Sequence, residues 1–166
     1  MAPSIIVMGV AGCGKSTIGR LLAERRGWRF VDGDDLHPPA NVAKMAGGEA
    51  LTDDDRAPWL DAVGRTFAET GGGCVIACSA LKRIYRERIT AAAGAPVTFV
   101  HLSGSRALIG ERMAAREDHF MPTALLDSQF ATLEPPTAEE RALTIGIEPD
   151  AATIVEEIVR RIDDAG

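Results

Sequence analysis

The chain is short of lysine, of cysteine and of long apolar runs, and each shortage removes a class of protein. Only three lysines occur in 166 residues, Lys15, Lys44 and Lys82, and the formal net charge is −6. That balance argues against a nucleic-acid or anionic-membrane partner, because both favour a basic face. The cysteines are Cys13, Cys74 and Cys78, an odd count that makes no disulfide framework. Cys74 and Cys78 flank Val75-Ile76-Ala77 and are expected as small buried residues of one strand. Zinc would need two more soft ligands at recognisable spacing, and the sequence offers none. No apolar run approaches the roughly 18 residues of a membrane span. Nor does a basic segment precede the first apolar stretch, so no signal peptide is expected and the expected compartment is the cytoplasm. What remains is an ordinary globular composition, 46% hydrophobic and 25% charged, in a chain expected to form one domain over 1–166.

The strongest signal is Gly9-Val10-Ala11-Gly12-Cys13-Gly14-Lys15-Ser16, followed by Thr17, which fits the phosphate-binding pattern G-x-x-x-x-G-K-[ST]. Ile5-Ile6-Val7-Met8 before it reads as a buried strand. Ile18, Leu21 and Leu22 after it keep the spacing of a helix with one buried face. Strand, glycine-rich turn and helix together are what anion binding requires. The turn aims successive backbone N–H groups at one phosphate, and the helix N-terminus adds its partial positive charge. Lys15 is placed to reach the β- and γ-phosphates, and the Ser16 hydroxyl to ligate Mg²⁺. The dinucleotide fingerprint G-x-G-x-x-G fails, because Thr17 stands where its last glycine should be. The ligand expected is a nucleoside triphosphate.

Further along, apolar strands alternate with helical patterns. Strands are expected at Trp28–Val31, Cys74–Cys78, Val97–Leu102 and Leu143–Ile145. Helices are expected from Pro39 through Lys44, from Thr52 to the glycines at 71–73, over Lys82–Ala93 and Ser105–Ala115, and at the C-terminus. Pro58 is tolerable only in a first helical turn, which leaves the start of its helix open by a few residues. The acidic run Asp53–Asp55 reads as charge at a helix N-terminus, Trp59 as a packing residue, and His101 as a core or edge residue of its strand. Residues about 34–60 look like a substrate-binding insertion, and about 113–136 like a lid. The expected fold is α/β: a three-layer phosphate-loop NTPase with a central parallel sheet of four or five strands and helices on both faces.

Three classes can use such a loop: a small-molecule kinase, a GTPase or ATPase switch, and a nucleotide-dependent binding module. A guanine-reading Asn-Lys-x-Asp run is missing, and Cys74–Cys78 runs into Ser79 where a Walker-B strand would end in Asp. A bare binding module has no need of further ionisable groups facing the phosphates. Here Asp32, Asp34 and His37 follow one strand, and Arg116 and His119 lie in the expected lid. These favour the kinase.

The chain also resembles the gluconate kinases (gluconokinases), which are similar to shikimate and adenylate kinases. The resemblance runs through Asp32-Gly33-Asp34, Leu36-His37-Pro38, Asn41, Lys44-Met45, Leu51 to Arg56 and Pro58-Trp59-Leu60. It continues in Cys78 to Lys82, Tyr85-Arg86, His119 to Pro122, Leu126, Ser128 to Phe130 and Leu133-Glu134. Within the loop, Cys13 replaces the Ser more usual in this family. The resemblance implies ATP-dependent phosphorylation of D-gluconate at its 6-hydroxyl, with a shikimate kinase-like enzyme for another polyhydroxylated acid as the alternative. It implies Asp34 as acceptor of the hydroxyl proton, Asp32 and Ser16 beside Mg²⁺, and Lys15 and Arg116 as cations on the γ-phosphate. Arg112 resembles the lid-base arginine that stacks on adenine. A carboxylate with a row of hydroxyls calls for cationic clamps and mixed donors. The groups available are Arg56, His37 and His119 first, then Lys44, Arg83 or Arg86, and Gln129. A homodimer is a further implication.

Overall fold

A computed structural model describes residues 3–115 and 123–165, and its frame is one five-stranded sheet, parallel throughout. The strands are β1 (Ser4–Met8), β2 (Arg29–Asp32), β3 (Cys74–Ala77), β4 (Thr98–Ser103) and β5 (Ala142–Gly146), in the spatial order β2-β3-β1-β4-β5. The helices are α1 (Lys15–Arg26), α2 (Pro39–Ala46), α3 (Asp53–Glu69), α4 (Arg83–Ala93), α5 (Arg106–Ala114), α6 (Thr123–Thr132) and α7 (Ala151–Ala165). All strands point the same way, so every loop that leaves a strand's C-terminal end stands on one edge of the sheet. Ligands of open α/β sheets bind at that edge.

Helices cover both faces, which is why the central strands are continuously apolar. In β1, Ile5 and Val7 join a cluster with Leu22, Ile109 and Ile158, while Ile6 and Met8 join one with Trp59, Leu60 and Ile89. These four side chains, Ile5 to Met8, are fully buried. At about 1.5–3 kcal/mol for each large apolar side chain, this strand is a firm base for the loop that follows it.

Several expected boundaries move for local reasons. Trp28 is outside β2, because its N–H donates to the Ala23 carbonyl (2.9 Å) in the turn that caps α1. α3 starts at Asp53, held by a capping box in which Thr52 Oγ1 accepts from the Asp55 N–H (3.1 Å) and Asp55 Oδ2 accepts from the Thr52 N–H (2.8 Å). Pro58 therefore sits one turn deeper than a first-turn proline. Its missing N–H leaves the Asp54 carbonyl without a helical donor, and both residues are exposed to water that can substitute. The expected lid contains helix α6, whose Leu126 is buried in the first cluster. Arg116 and His119 lie outside the described residues. Trp59 and His101 are buried, 4% exposed each, as expected for packing residues, and all three cysteines are free and buried.

Candidate active site

The phosphate loop is stretched between two rigid elements. β1 delivers the chain to Gly9, and α1 begins at Lys15. Gly14 caps α1 with φ +98°, a left-handed conformation that costs a glycine nothing, and no side chain occupies the cap. The first N–H groups of the helix are thus left for an anion. Neighbouring backbone holds the loop from behind: the Gly9 N–H donates to the Ser79 carbonyl (3.2 Å), and the Cys13 N–H to the Val10 carbonyl (3.3 Å). Lys15 Nζ arches over the same loop to donate to the Val10 carbonyl at 3.1 Å. Burial pushes the Cys13 thiol above its ordinary range despite the nearby Lys15 ammonium, so it is a packing group and not a nucleophile.

Two strands away, β2 ends on Asp32, and residues Gly33–Leu36 form a single 3₁₀ turn. Asp32 Oδ1 caps that turn by accepting from the Asp34 N–H (3.0 Å), which leaves the Asp34 carboxylate in solvent. The turn lies so close on β3 that a Cβ at Gly33 would stand 2.4 Å from the Ala77 carbonyl oxygen. Cys78, next in the chain, is buried, and its thiol is pushed up to about 12. Burial is the main cause; Lys15 opposes it, and Asp34 and Asp32 add to it. The Lys15 ammonium and both carboxylates therefore all act on one buried sulfur just beyond the C-terminal end of β3.

His37 follows the turn and is held by two side chains, Trp59 and Asn41. Its ring stacks on Trp59 with centroids 4.1 Å apart, and Trp59 Nε1 donates to the Gly33 carbonyl at 2.8 Å. The buried Asn41 donates from Nδ2 to the Asp55 carbonyl (2.9 Å) and stands 3.3 Å from His37 Nδ1. With Nδ1 as the acceptor of that contact, neutral His37 carries its proton on Nε2. Burial pulls the imidazole below its ordinary range, Asp34 pulls it back up, and Arg56 lowers it again. His37 is thus a neutral donor between an anion and a cation.

The cations expected to hold an acidic substrate divide sharply. Arg56 stays at the rim: Nη1 donates to the Leu51 carbonyl (2.9 Å) and lies 3.3 Å from the Tyr85 hydroxyl, with 32% of the side chain exposed. Arg86 does not. It is 2% exposed and spends its guanidinium on five hydrogen bonds. They run to the Ala80 and Leu81 carbonyls (2.8 and 3.3 Å), the Glu134 carbonyl (2.9 Å) and both Glu140 oxygens (2.6 and 3.2 Å). The expectation of Arg86 as a substrate group is corrected accordingly, since a guanidinium with its donors taken and no exposed face has nothing left for a ligand. Arg83 is corrected as well: it points to acids on the outer surface, Glu139 at 3.2 Å and Glu87 at 4.0 Å. Lys44 pairs with Asp55 at 2.6 Å, tying α2 to the capping box of α3, and that hydrogen bond, first among its causes, lowers Asp55 to about 2.

Gln129 also serves a different partner from the one expected. From α6 its Oε1 accepts the Ala11 N–H at 2.6 Å, so it braces the phosphate loop itself. Arg112, in the last turn of α5, reaches the Glu148 carbonyl at 3.4 Å and so lies against the segment that follows β5. Sequence reasoning gave Asn41 no role at the site; His37 and Pro38 are extended and α2 begins only at Pro39, so no helical period announces the contact. It also took Asp53 for mere helix charge, whereas the Tyr85 hydroxyl donates to Asp53 Oδ1 at 2.5 Å and Lys82 Nζ stands 3.4 Å from Oδ2.

Known proteins resemble this chain over nearly its whole length. A family model described as an AAA domain matches residues 5–136. The gluconokinase of Gluconobacter oxydans (strain 621H) is 46% identical over 159 residues, spanning 94% of this chain and 89% of that protein. The thermosensitive gluconokinase of Escherichia coli (strain K12) is 43% identical over 160 residues, spanning 93% and 84%. A solved structure of a gluconokinase from Sinorhizobium meliloti 1021 superposes with a TM-score of 0.88 at 44% identity, covering 98% of this chain and 95% of that one. Likeness at this level, over nearly the full length of both partners, places the chain: it belongs to the gluconokinase family.

Proposed function

We propose that this protein transfers the γ-phosphoryl group of ATP to the 6-hydroxyl of D-gluconate, giving 6-phospho-D-gluconate and ADP. One observation carries the reading: a rim of Asp34, neutral His37 and Arg56 stands at the same sheet edge as the Lys15 loop. Phosphoryl transfer of this kind is mostly positioning and charge stabilisation, with little covalent work for the protein. The loop N–H groups and Lys15 hold the donor phosphates. Asp34 orients the primary hydroxyl and takes its proton as the new oxygen–phosphorus bond forms. His37 Nε2–H and Arg56 hold the polar length of the acid. Arg112 offers a flat guanidinium to the adenine ring, and Gln129 keeps the loop in its shape.

Arg116 and His119 complete the reading, as a second γ-phosphate cation and a further substrate donor. Among the described residues no cluster of three or more metal-ligating side chains occurs. That suits Mg²⁺, which keeps waters and phosphate oxygens and needs only one or two protein groups. Ser16 and Asp32 are the residues that would hold it, and it would supply charge neutralisation between the phosphates. Three free, buried thiols suit a site of action in a reducing compartment, the cytoplasm. The resemblance also implies a homodimer, which sedimentation of the purified chain would test.

The deciding assay offers ATP and Mg²⁺ with D-gluconate, other aldonic acids, shikimate and nucleoside monophosphates. Gluconate should be the fastest acceptor, and no turnover of gluconate above background would reject the reading.

A further inference from the structure

Asp53 is shared by more positive charge than it can neutralise. Lys82 Nζ lies 3.5 and 3.4 Å from its two oxygens, and Arg56 Nη1 lies 3.8 Å from Oδ1. One carboxylate between two cations leaves a net charge of +1. The contrast with Lys44 and Asp55, paired one to one at 2.6 Å, shows what a saturated pair looks like in this molecule. Neither Lys82 nor Arg56 is saturated, and their side chains remain 30% and 32% exposed. Tyr85, itself buried, holds the group together: both cations lie over its ring, 5.6 Å for Arg56 and 5.5 Å for Lys82, and its hydroxyl is bonded to Asp53.

The frame around Lys82 is equally determined. Its turn contains Ala80 at φ +44°, an uncommon conformation for a residue with a side chain. The buried Arg86 grips the carbonyls of Ala80 and Leu81, immediately before Lys82. The same turn touches the phosphate loop through the Ser79 carbonyl. On the other side, Arg56 acts on His37 at the acceptor rim. A flexible lysine is thus mounted on a rigid turn between the donor loop and the acceptor rim, with a second cation beside it.

We infer that Lys82 and Arg56 form a two-cation clamp for the carboxylate of the acceptor, with Asp53 and Tyr85 as the positioning residues that hold them side by side. The clamp deepens the aldonic-acid reading above and rests on it. It makes Lys82 a specificity-determining residue, which selects acids over neutral polyols with the same row of hydroxyls. The Tyr85 hydrogen bond, the largest of several causes, holds the Asp53 carboxyl below its ordinary range, so the frame stays ionised wherever the enzyme works.

The test is steady-state kinetics on the full chain with D-gluconate as substrate and D-glucitol, its neutral counterpart, as alternative substrate or competitive inhibitor. Lys82→Met should raise the KM for gluconate about tenfold or more, the scale of one lost charge-assisted hydrogen bond. It should leave the KM for ATP and the melting temperature near wild type, and should shrink the preference for gluconate over glucitol by the same factor. Lys82→Arg should recover most of that preference, and Tyr85→Phe, which keeps the ring and releases Asp53, should lose part of it. An unchanged gluconate KM in Lys82→Met overturns the clamp, as does an equal loss on both ligands or a loss confined to ATP. Wild-type turnover of gluconate with an unmoved Lys82→Met rejects the clamp alone. A wild-type enzyme that ignores gluconate and phosphorylates another acid rejects the aldonic reading, and the same variants then judge the clamp on that acid and its neutral counterpart.

Discussion

The donor and acceptor halves of the site share one sheet edge and are made by opposite means. The donor half is a continuous run, Gly9 to Thr17, whose working groups are mostly backbone N–H and whose shape follows from β1, glycine and α1. The acceptor half proposed above draws on side chains that lie far apart in sequence: Asp34 and His37 after β2, Arg56 on α3, Lys82 and Tyr85 around the start of α4. Backbone donors vary little with residue type, so the first half tolerates Cys13 in place of a serine. The second half depends on the identity and partner of each charge. Arg56 and Arg86 make the point within one cluster of helices. Both carry the same guanidinium, but one retains an exposed face at the rim while the other is sealed in a buried lattice of carbonyls and Glu140.

Removing the acceptor's proton partner should break the comparison most severely. Asp34→Asn should lower kcat by about 10²–10⁴-fold, the usual worth of a general base, with ATP affinity nearly intact. Near-normal turnover would take Asp34 out of its role.

The two arginines come next. Arg86→Met strands Glu140 as a buried charge and should cost about 3–5 kcal/mol of stability. Arg56→Met should cost less than about 1 kcal/mol in stability and instead raise the gluconate KM about tenfold. Urea unfolding and acceptor kinetics on the same pair of variants separate these outcomes, and a reversed pattern would mean that the structural and binding arginines have been exchanged.

Smaller again is the brace on the donor loop. Gln129→Leu removes the acceptor of the Ala11 N–H and should raise the KM for ATP about two- to tenfold, the net worth of one hydrogen bond. An ATP KM that does not move would detach Gln129 from the loop.

The smallest effect is a slope with pH. Burial holds both His37 and His101 below the ordinary histidine value of 6.5, with the nearby cations Arg56 and Arg86 adding to it. The unfolded chain then binds more protons than the folded one just below that value, so stability is full above 6.5 and declines as pH falls through it. Melting temperatures taken from about pH 7.5 to 5.5 should fall, and a flat or rising curve would contradict the assignment.

Much of this was legible in residues alone. The loop and its flanking elements could be read because their chemistry is local: glycines, an apolar strand before, a helical period after. Asp32, Asp34 and His37 could be read because a polar stretch at the end of a parallel strand marks the ligand edge. The cations were harder. Lys44, Arg83 and Arg86 stayed on the roll of candidates behind Arg56, because a sequence shows a charge and not the carboxylate that neutralises it. Glu140 lies 54 residues from Arg86 and Asp53 lies 29 from Lys82, distances over which no periodicity or motif connects them.

By itself the sequence determined the nucleotide half: a phosphate loop between β1 and α1, the parallel α/β frame that carries it, and the acidic turn that faces it. These follow from short-range steric and hydrogen-bonding rules that each segment obeys alone. The tertiary structure decided which charges remain for a substrate. Packing residues 134–140 against the turn after β3 consumed Arg86 and turned Arg83 outward, and pairing α2 with the start of α3 consumed Lys44. It left Arg56 and Lys82 sharing a single carboxylate. Burial and pairing are properties of the folded surface, and only there does a cation become either a strut or a binding group.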